Sequence, residues 1–211
     1  METIKETRLS APDMEIRTMG EGMEVRAGST GGNVLRGYAL KWGQTYSMGW
    51  FTEEIAQGAL NNADMTDVRA LLNHDPNVVL GRTTAGTLRL SADETGLLYE
   101  VDLPDTTAAR DLAVSVSRGD ISQSSWGFML RVDENTTGDT WTRKEGKDHR
   151  VIQSVSRVFD VSAVTFPANP GTDVAKRSLD AVRDQENKET LNLRSAQVRV
   201  LLAQYPNKST V

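Results

Sequence analysis

Three side chains in this sequence have the types that peptide or ester hydrolysis needs: a serine on a strand, a histidine at a turn and an aspartate inside an apolar run. Ser125 lies in the stretch 120–130. Side chains alternate faces along a strand. Ser122, Ser124, Trp126, Phe128 and Leu130 therefore share one face, and Ile121, Gln123, Ser125, Gly127 and Met129 the other. The heavy apolar trio directs the first face into a core. Ser125 then points the opposite way, beside Gly127, whose missing side chain leaves room for another backbone. That arrangement suits a nucleophile next to an extended peptide. An ordinary half-buried strand with small outer residues has the same pattern.

His74 directly follows the apolar run 68–73, where Pro76 signals that the chain turns. A histidine there projects from a rigid element, and imidazole, titrating near pH ~6.5, is the usual general base. A turn histidine bonded to backbone or to Asp75 is the structural alternative. Asp160 sits in 158–166, where both strand faces are apolar, so its carboxylate is expected to be buried and must be paired. Imidazole is a natural partner, because an acid that orients a base is the logic of a catalytic triad. Arg157, Arg82 or a backbone amide would serve as a purely structural partner. His149, at the edge of the polar stretch 133–148, is expected to be solvated.

Other chemistries find little support. The 211 residues contain no cysteine, which excludes disulfides, thiolate metal sites and a cysteine nucleophile, and fits a reducing cytoplasm. Two histidines far apart in sequence make a poor zinc set. No glycine-rich phosphate loop is present, and no cofactor is expected. The net charge of -5 lacks the basic footprint of a nucleic-acid binder. No apolar run approaches the ~18 residues of a membrane span, and the charged first ten residues have no apolar signal core. The order His74, Ser125, Asp160 matches none of the three familiar serine-hydrolase orders, and Gln123 stands where a nucleophile elbow has its first glycine.

The elements that must position these residues are mostly strands. Residues 1–32 form a polar, glycine-rich extension with room for one edge strand near 14–17 or 23–26. Strands are expected at 34–42, 51–55 and 68–73, with a short helical turn at 58–63. Two more, 87–91 and 97–103, flank the turn residues 93–96 as a hairpin. A helix spans 106–118, capped by Asp105 or Thr106 and ended by Gly119. Residues 133–148 read as a long polar loop, 151–166 as one or two strands, and 167–171 as a hard stop. Two helical segments, 173–182 and 189–204, follow, joined by the charged stretch 183–188.

Five short stretches resemble, in order, the head maturation (prohead) proteases of tailed phages. They are Leu35-Arg36-Gly37-Tyr38-Ala39; Phe51, Glu53, Ile55, Ala56, Gly58 and Ala59; Leu72-Asn73-His74-Asp75-Pro76 with Leu80-Gly81-Arg82-Thr83; Gly119-Asp120-Ile121-Ser122 with Ser125, Gly127 and Phe128; and Asp160-Val161-Ser162 with Val164, Thr165 and Pro167-Ala168-Asn169-Pro170. Gln123-Ser124 replaces the family's usual Gly-Met, Asp160 stands at a position usually held by Glu, and the 133–148 loop looks longer than usual. The resemblance implies a mainly β (α+β) fold: a β-barrel like that of the herpesvirus capsid-maturation proteases at 33–175, after the 1–32 extension, with a helical tail at 176–211. It implies a serine endopeptidase with Ser125 as nucleophile, His74 as base and Asp160 as the acid. Such an enzyme would work in the host cytoplasm, inside the assembling procapsid. It would cut a scaffold protein, or the scaffolding segment of the major capsid protein, and itself, with self-association as a further contact. The competing expectation is an inactive capsid-assembly or scaffold-binding module that keeps the fold.

Overall fold

The computed structural model describes residues 14–28, 31–133, 137–166 and 173–204. In chain order it has β1 (Glu15–Glu21), β2 (Glu24–Ala27), β3 (Asn33–Lys41), β4 (Tyr46–Ser47), β5 (Phe51–Ile55), β6 (Arg69–Leu72), β7 (Asp75–Arg82), β8 (Leu88–Ala92) and β9 (Gly96–Asp102). Helix α1 (Thr107–Arg118) follows, then β10 (Gln123–Leu130), β11 (Asp139–Lys144), β12 (Lys147–Ile152), β13 (Val155–Val164) and helix α2 (Asp173–Gln204). The chain divides into two units, residues 1–171 and 172–211.

The first unit is built from three sheets, ordered β1-β10-β13-β6-β7, β11-β12-β5-β4 and β2-β3-β9-β8. Neighbours are antiparallel except β13 with β6 and β12 with β5, which run parallel. The mainly β expectation holds, but the closed barrel does not. Closure needs every edge strand to pair, and among the described residues each sheet ends on two edges.

The core follows in part from strand alternation, with both faces buried along β10 and β13. Trp126, Phe128 and Leu130 of β10 are buried, as their shared face requires, and the Trp126 and Phe128 rings stack at 4.0 Å between centroids. Leu35 and Leu40 of β3, Phe51 and Ile55 of β5, and Val158 and Val161 of β13 are likewise buried. In α1, Ala109, Leu112, Ala113 and Val116 form one buried stripe at helical spacing. The Thr106 hydroxyl accepts from the Ala109 N–H at the start, and Gly119 ends the helix in the left-handed conformation. The 88–92 and 96–102 hairpin is present, and 58–63 is a run of hydrogen-bonded turns.

Several elements differ from expectation. Most of the supposed polar loop 133–148 is the hairpin β11–β12; residues 134–136 lie outside the described set. Glu145 and Gly146 both have positive φ (51° and 79°), the geometry of a tight hairpin turn that matches strand twist. Thr140, Trp141 and Thr142 alternate exposed, buried, exposed, a strand signal masked by the surrounding charges. The run 68–73 does end before Pro76, as expected, but the proline itself belongs to the next strand. It sits at the start of β7, an edge strand, where its missing donor costs no ladder bond. The N-terminal stretch holds two strands rather than one. The stop at 167–171 lies outside the described residues.

The second unit is one continuous helix over its described residues, not two segments. Residues 183–188 contain neither glycine nor proline, and charge alone does not break a helix. Among the described residues no helix is long and apolar enough to cross a membrane.

Candidate active site

Ser125 and Ser124 are adjacent on β10 but enter different environments. Ser124 Oγ lies 2.8 Å from the Tyr99 hydroxyl, inside the core. Burial pushes the Tyr99 phenol up to about 12 despite the Ser124 hydrogen bond. Tyr99 is therefore a neutral hydroxyl, not a base, and Ser124 has no group to take its proton. Gly37 makes space for this pair, since a Cβ there would come within 2.9 Å of the Tyr99 oxygen. Ser125 points to the opposite face, where its Oγ lies 2.7 Å from His74 Nε2.

His74 reaches that position from a turn. β6 ends at Leu72, and Asn73 and His74 both adopt left-handed backbone, with φ of 54° and 59°. Non-glycine residues are uncommon there, with asparagine and histidine among the more tolerant. The ring then reaches across one face of the paired β10 and β13. Its Nδ1 is 2.6 Å from Asp160 Oδ1. An ionised carboxylate only accepts, so Nδ1 carries the proton and Nε2 presents its lone pair to Ser125. Ser162 donates from Oγ to the same Asp160 oxygen at 2.8 Å. The register explains the convergence: on β10 and β13, Ser125 faces Ser162 and Gly127 faces Asp160. The two arginines considered as structural partners for Asp160 are engaged elsewhere. Arg82 is 2.6 Å from Asp67, and Arg157 is 3.7 Å from Asp64.

Three sequence expectations change here. The space at Gly127 is filled by the Asp160 carboxylate, not by another backbone. Ser125 is not on an open face: none of its surface is exposed, while the His74 side chain keeps 16%. His149 is not solvated. It is buried, with Nδ1 2.8 Å from the Thr52 hydroxyl, because it belongs to β12 rather than to a loop.

Beside the serine runs β1, whose Thr18 lies opposite Ser125. Ser125 Oγ also donates to the Arg17 backbone oxygen at 2.8 Å. The Arg17 side chain enters the core, where it meets Glu15 and Glu53, the latter at 2.6 Å. Arg150 completes the cluster, 2.7 Å from Glu15, 2.9 Å from Glu53 and 2.6 Å from Asp139. All five side chains are fully shielded. Burial opposes charge on Glu15, but the Arg150 and Arg17 guanidiniums outweigh it and hold its carboxyl below the usual range. Sequence reading missed this cluster. Its local trace was the alternation of Glu15 and Arg17 with Met14, Ile16 and Thr18, which reads most simply as a charged face in water. The partners that turn that face inward lie far along the chain.

Among the described residues no three His, Asp or Glu side chains are grouped to hold a metal ion. What the site's arrangement offers chemically is a serine proton, an imidazole lone pair to receive it and a carboxylate behind the imidazole.

Comparison with known proteins agrees with the motifs. The model of the caudovirus prohead serine protease family matches residues 21–185. Among solved structures, the capsid assembly protease gp21 of bacteriophage T4 aligns with 15% identity over 73% of this chain and 98% of that one, at a TM-score of 0.46. No curated protein sequence matches significantly.

Proposed function

We propose that this chain, which belongs to the caudovirus prohead serine protease family, is a serine endopeptidase that uses Ser125, His74 and Asp160 to mature a phage prohead. The observation that carries the reading is the relay from Ser125 Oγ to His74 Nε2 at 2.7 Å and from His74 Nδ1 to Asp160 at 2.6 Å. As Ser125 Oγ attacks a peptide carbonyl, its proton passes to Nε2, and Asp160 stabilises the imidazolium that forms. His74 then protonates the leaving amine, and water hydrolyses the acyl-enzyme by the reverse relay. Before attack the serine proton has two acceptors, Nε2 and the Arg17 carbonyl, and only transfer to Nε2 activates the oxygen.

The substrates in this reading are a scaffold protein or the scaffolding segment of the major capsid protein, and the protease itself, cut within the assembling procapsid in the host. The kinship to herpesvirus capsid-maturation proteases implied by the motifs belongs to the same proposal. A second reading, a capsid-assembly or scaffold-binding module without turnover, draws on the complete enclosure of Ser125. Co-expression with the phage's own capsid and scaffold proteins separates the two. The protease reading expects shortened products that vanish with Ser125→Ala. Assembly without any cleavage by the unaltered chain favours the module.

A further inference from the structure

His74 stands in left-handed backbone, a region that non-glycine residues populate sparsely even though histidine is among those enriched there. Asn73, immediately before it, shares that conformation, and among the described non-glycine residues only Glu145, in the β11–β12 turn, does so as well. Asparagine tolerates this region far better than most residues. Its groups are also fastened to the end of β13 and the residue that follows it. The Asn73 N–H donates to the Ala163 oxygen at 2.8 Å. Its Oδ1 accepts from the Thr165 N–H at 2.8 Å, and its Nδ2 donates to the Thr165 hydroxyl at 3.1 Å. Three bonds thus tie the residue before the base to the end of the strand that carries the acid, one to Ala163 within β13 and two to Thr165 directly after it. Asp160 and Ser162 lie on that same strand.

We propose that Asn73 is a positioning residue: its side-chain clamp on Thr165 fixes the turn so that the His74 ring stands between Ser125 and Asp160. The inference rests on the reading of His74 as base and Ser125 as nucleophile. The clamp is exposed, so its effect is on aim more than on stability. Displacement of a catalytic group by about 1 Å is enough to cost ~100-fold in rate. The side-chain type fits the task, since an amide accepts from the Thr165 N–H and donates to its hydroxyl. Aspartate would keep the acceptor and would also accept from the Thr165 hydroxyl. Glycine would keep the left-handed backbone and lose the clamp.

A fluorophosphonate probe tests this on the full chain without a known substrate. Ser125 Oγ bonds to phosphorus, fluoride leaves, and the serine proton passes to His74. The first-order labelling rate at saturating probe is measured separately from the probe's half-saturating concentration. Asn73→Gly should label about 10- to 100-fold more slowly at unchanged half-saturation. Asn73→Asp should restore the rate to within about threefold, and Thr165→Val should fall between. A merely structural role would lower the fraction of protein that reacts, not the rate of the fraction that does. Wild-type labelling rates in Asn73→Gly would overturn the proposal; if that variant does not fold, wild-type rates in Thr165→Val would do so. An unaltered chain that fails to label would instead overturn the reading of Ser125 on which the proposal rests.

Discussion

The carboxylate of Asp160 occupies the space that a side chain at Gly127 would fill: a Cβ there would stand 2.4 Å from Oδ2. The two residues face each other across β10 and β13. Gly127→Ala should therefore displace Asp160 from His74. The expected result is a loss of about 10- to 100-fold in cleavage rate, larger than any fall in the amount of folded protein. Rates measured beside thermal unfolding check it. A fully active Gly127→Ala enzyme would show that the carboxylate has room to spare.

The two serines should separate cleanly. Ser125→Ala removes the hydroxyl that faces His74 Nε2 and should abolish cleavage. Ser124→Ala leaves the buried Tyr99 hydroxyl without its partner, at a cost of about 1–3 kcal/mol. It should lower the melting temperature yet keep most activity. The reverse pattern would mean that the assignment by strand face is wrong.

Asp160→Asn keeps the shape of the acid and reverses its hydrogen bonding. An amide N–H directed at Nδ1 favours the tautomer with the proton on Nε2, which is useless for accepting from Ser125. Where an aspartate orients a catalytic histidine, this exchange costs about 10⁴-fold. His149→Ala, by contrast, removes a bond to Thr52 and should spare the rate of the folded enzyme. Cleavage progress curves for both variants decide the matter. Near-normal rates in Asp160→Asn would restrict that carboxylate to a structural role.

The parts of the site legible in the sequence are those set by local periodicity. Alternation along 120–130 placed Ser125 and Ser124 on opposite faces, and the apolar surroundings of Asp160 announced its burial. The caps of α1 and the 93–96 turn were readable for the same reason. What escaped depends on distant residues. Glu15 and Arg17 turn inward only because Glu53 and Arg150 meet them there. His149 is buried because β12 pairs with β5, 97 residues away in sequence. Gly127 was read as space for a substrate, when its neighbour across the sheet already fills it.

The buried ion cluster predicts an acid dependence of both stability and activity. Glu15 has its carboxyl held below the ordinary 4.5, with burial opposed and outweighed by Arg150 and Arg17. A depressed folded value means the stabilising contribution is fully present above the ordinary value and is lost as pH falls through the folded one. The melting temperature should hold down to about pH 4.5 and drop below it. Glu15→Gln should flatten that acid limb while lowering stability at neutral pH. Breaking a buried pair costs on the order of 3–5 kcal/mol, and Arg150 loses one of its partners. The effect should reach the serine as well, because the Arg17 carbonyl that accepts from Ser125 belongs to the strand this cluster anchors. Melting curves of both proteins across the acid range provide the measurement. Parallel acid limbs would remove Glu15 as the titrating group.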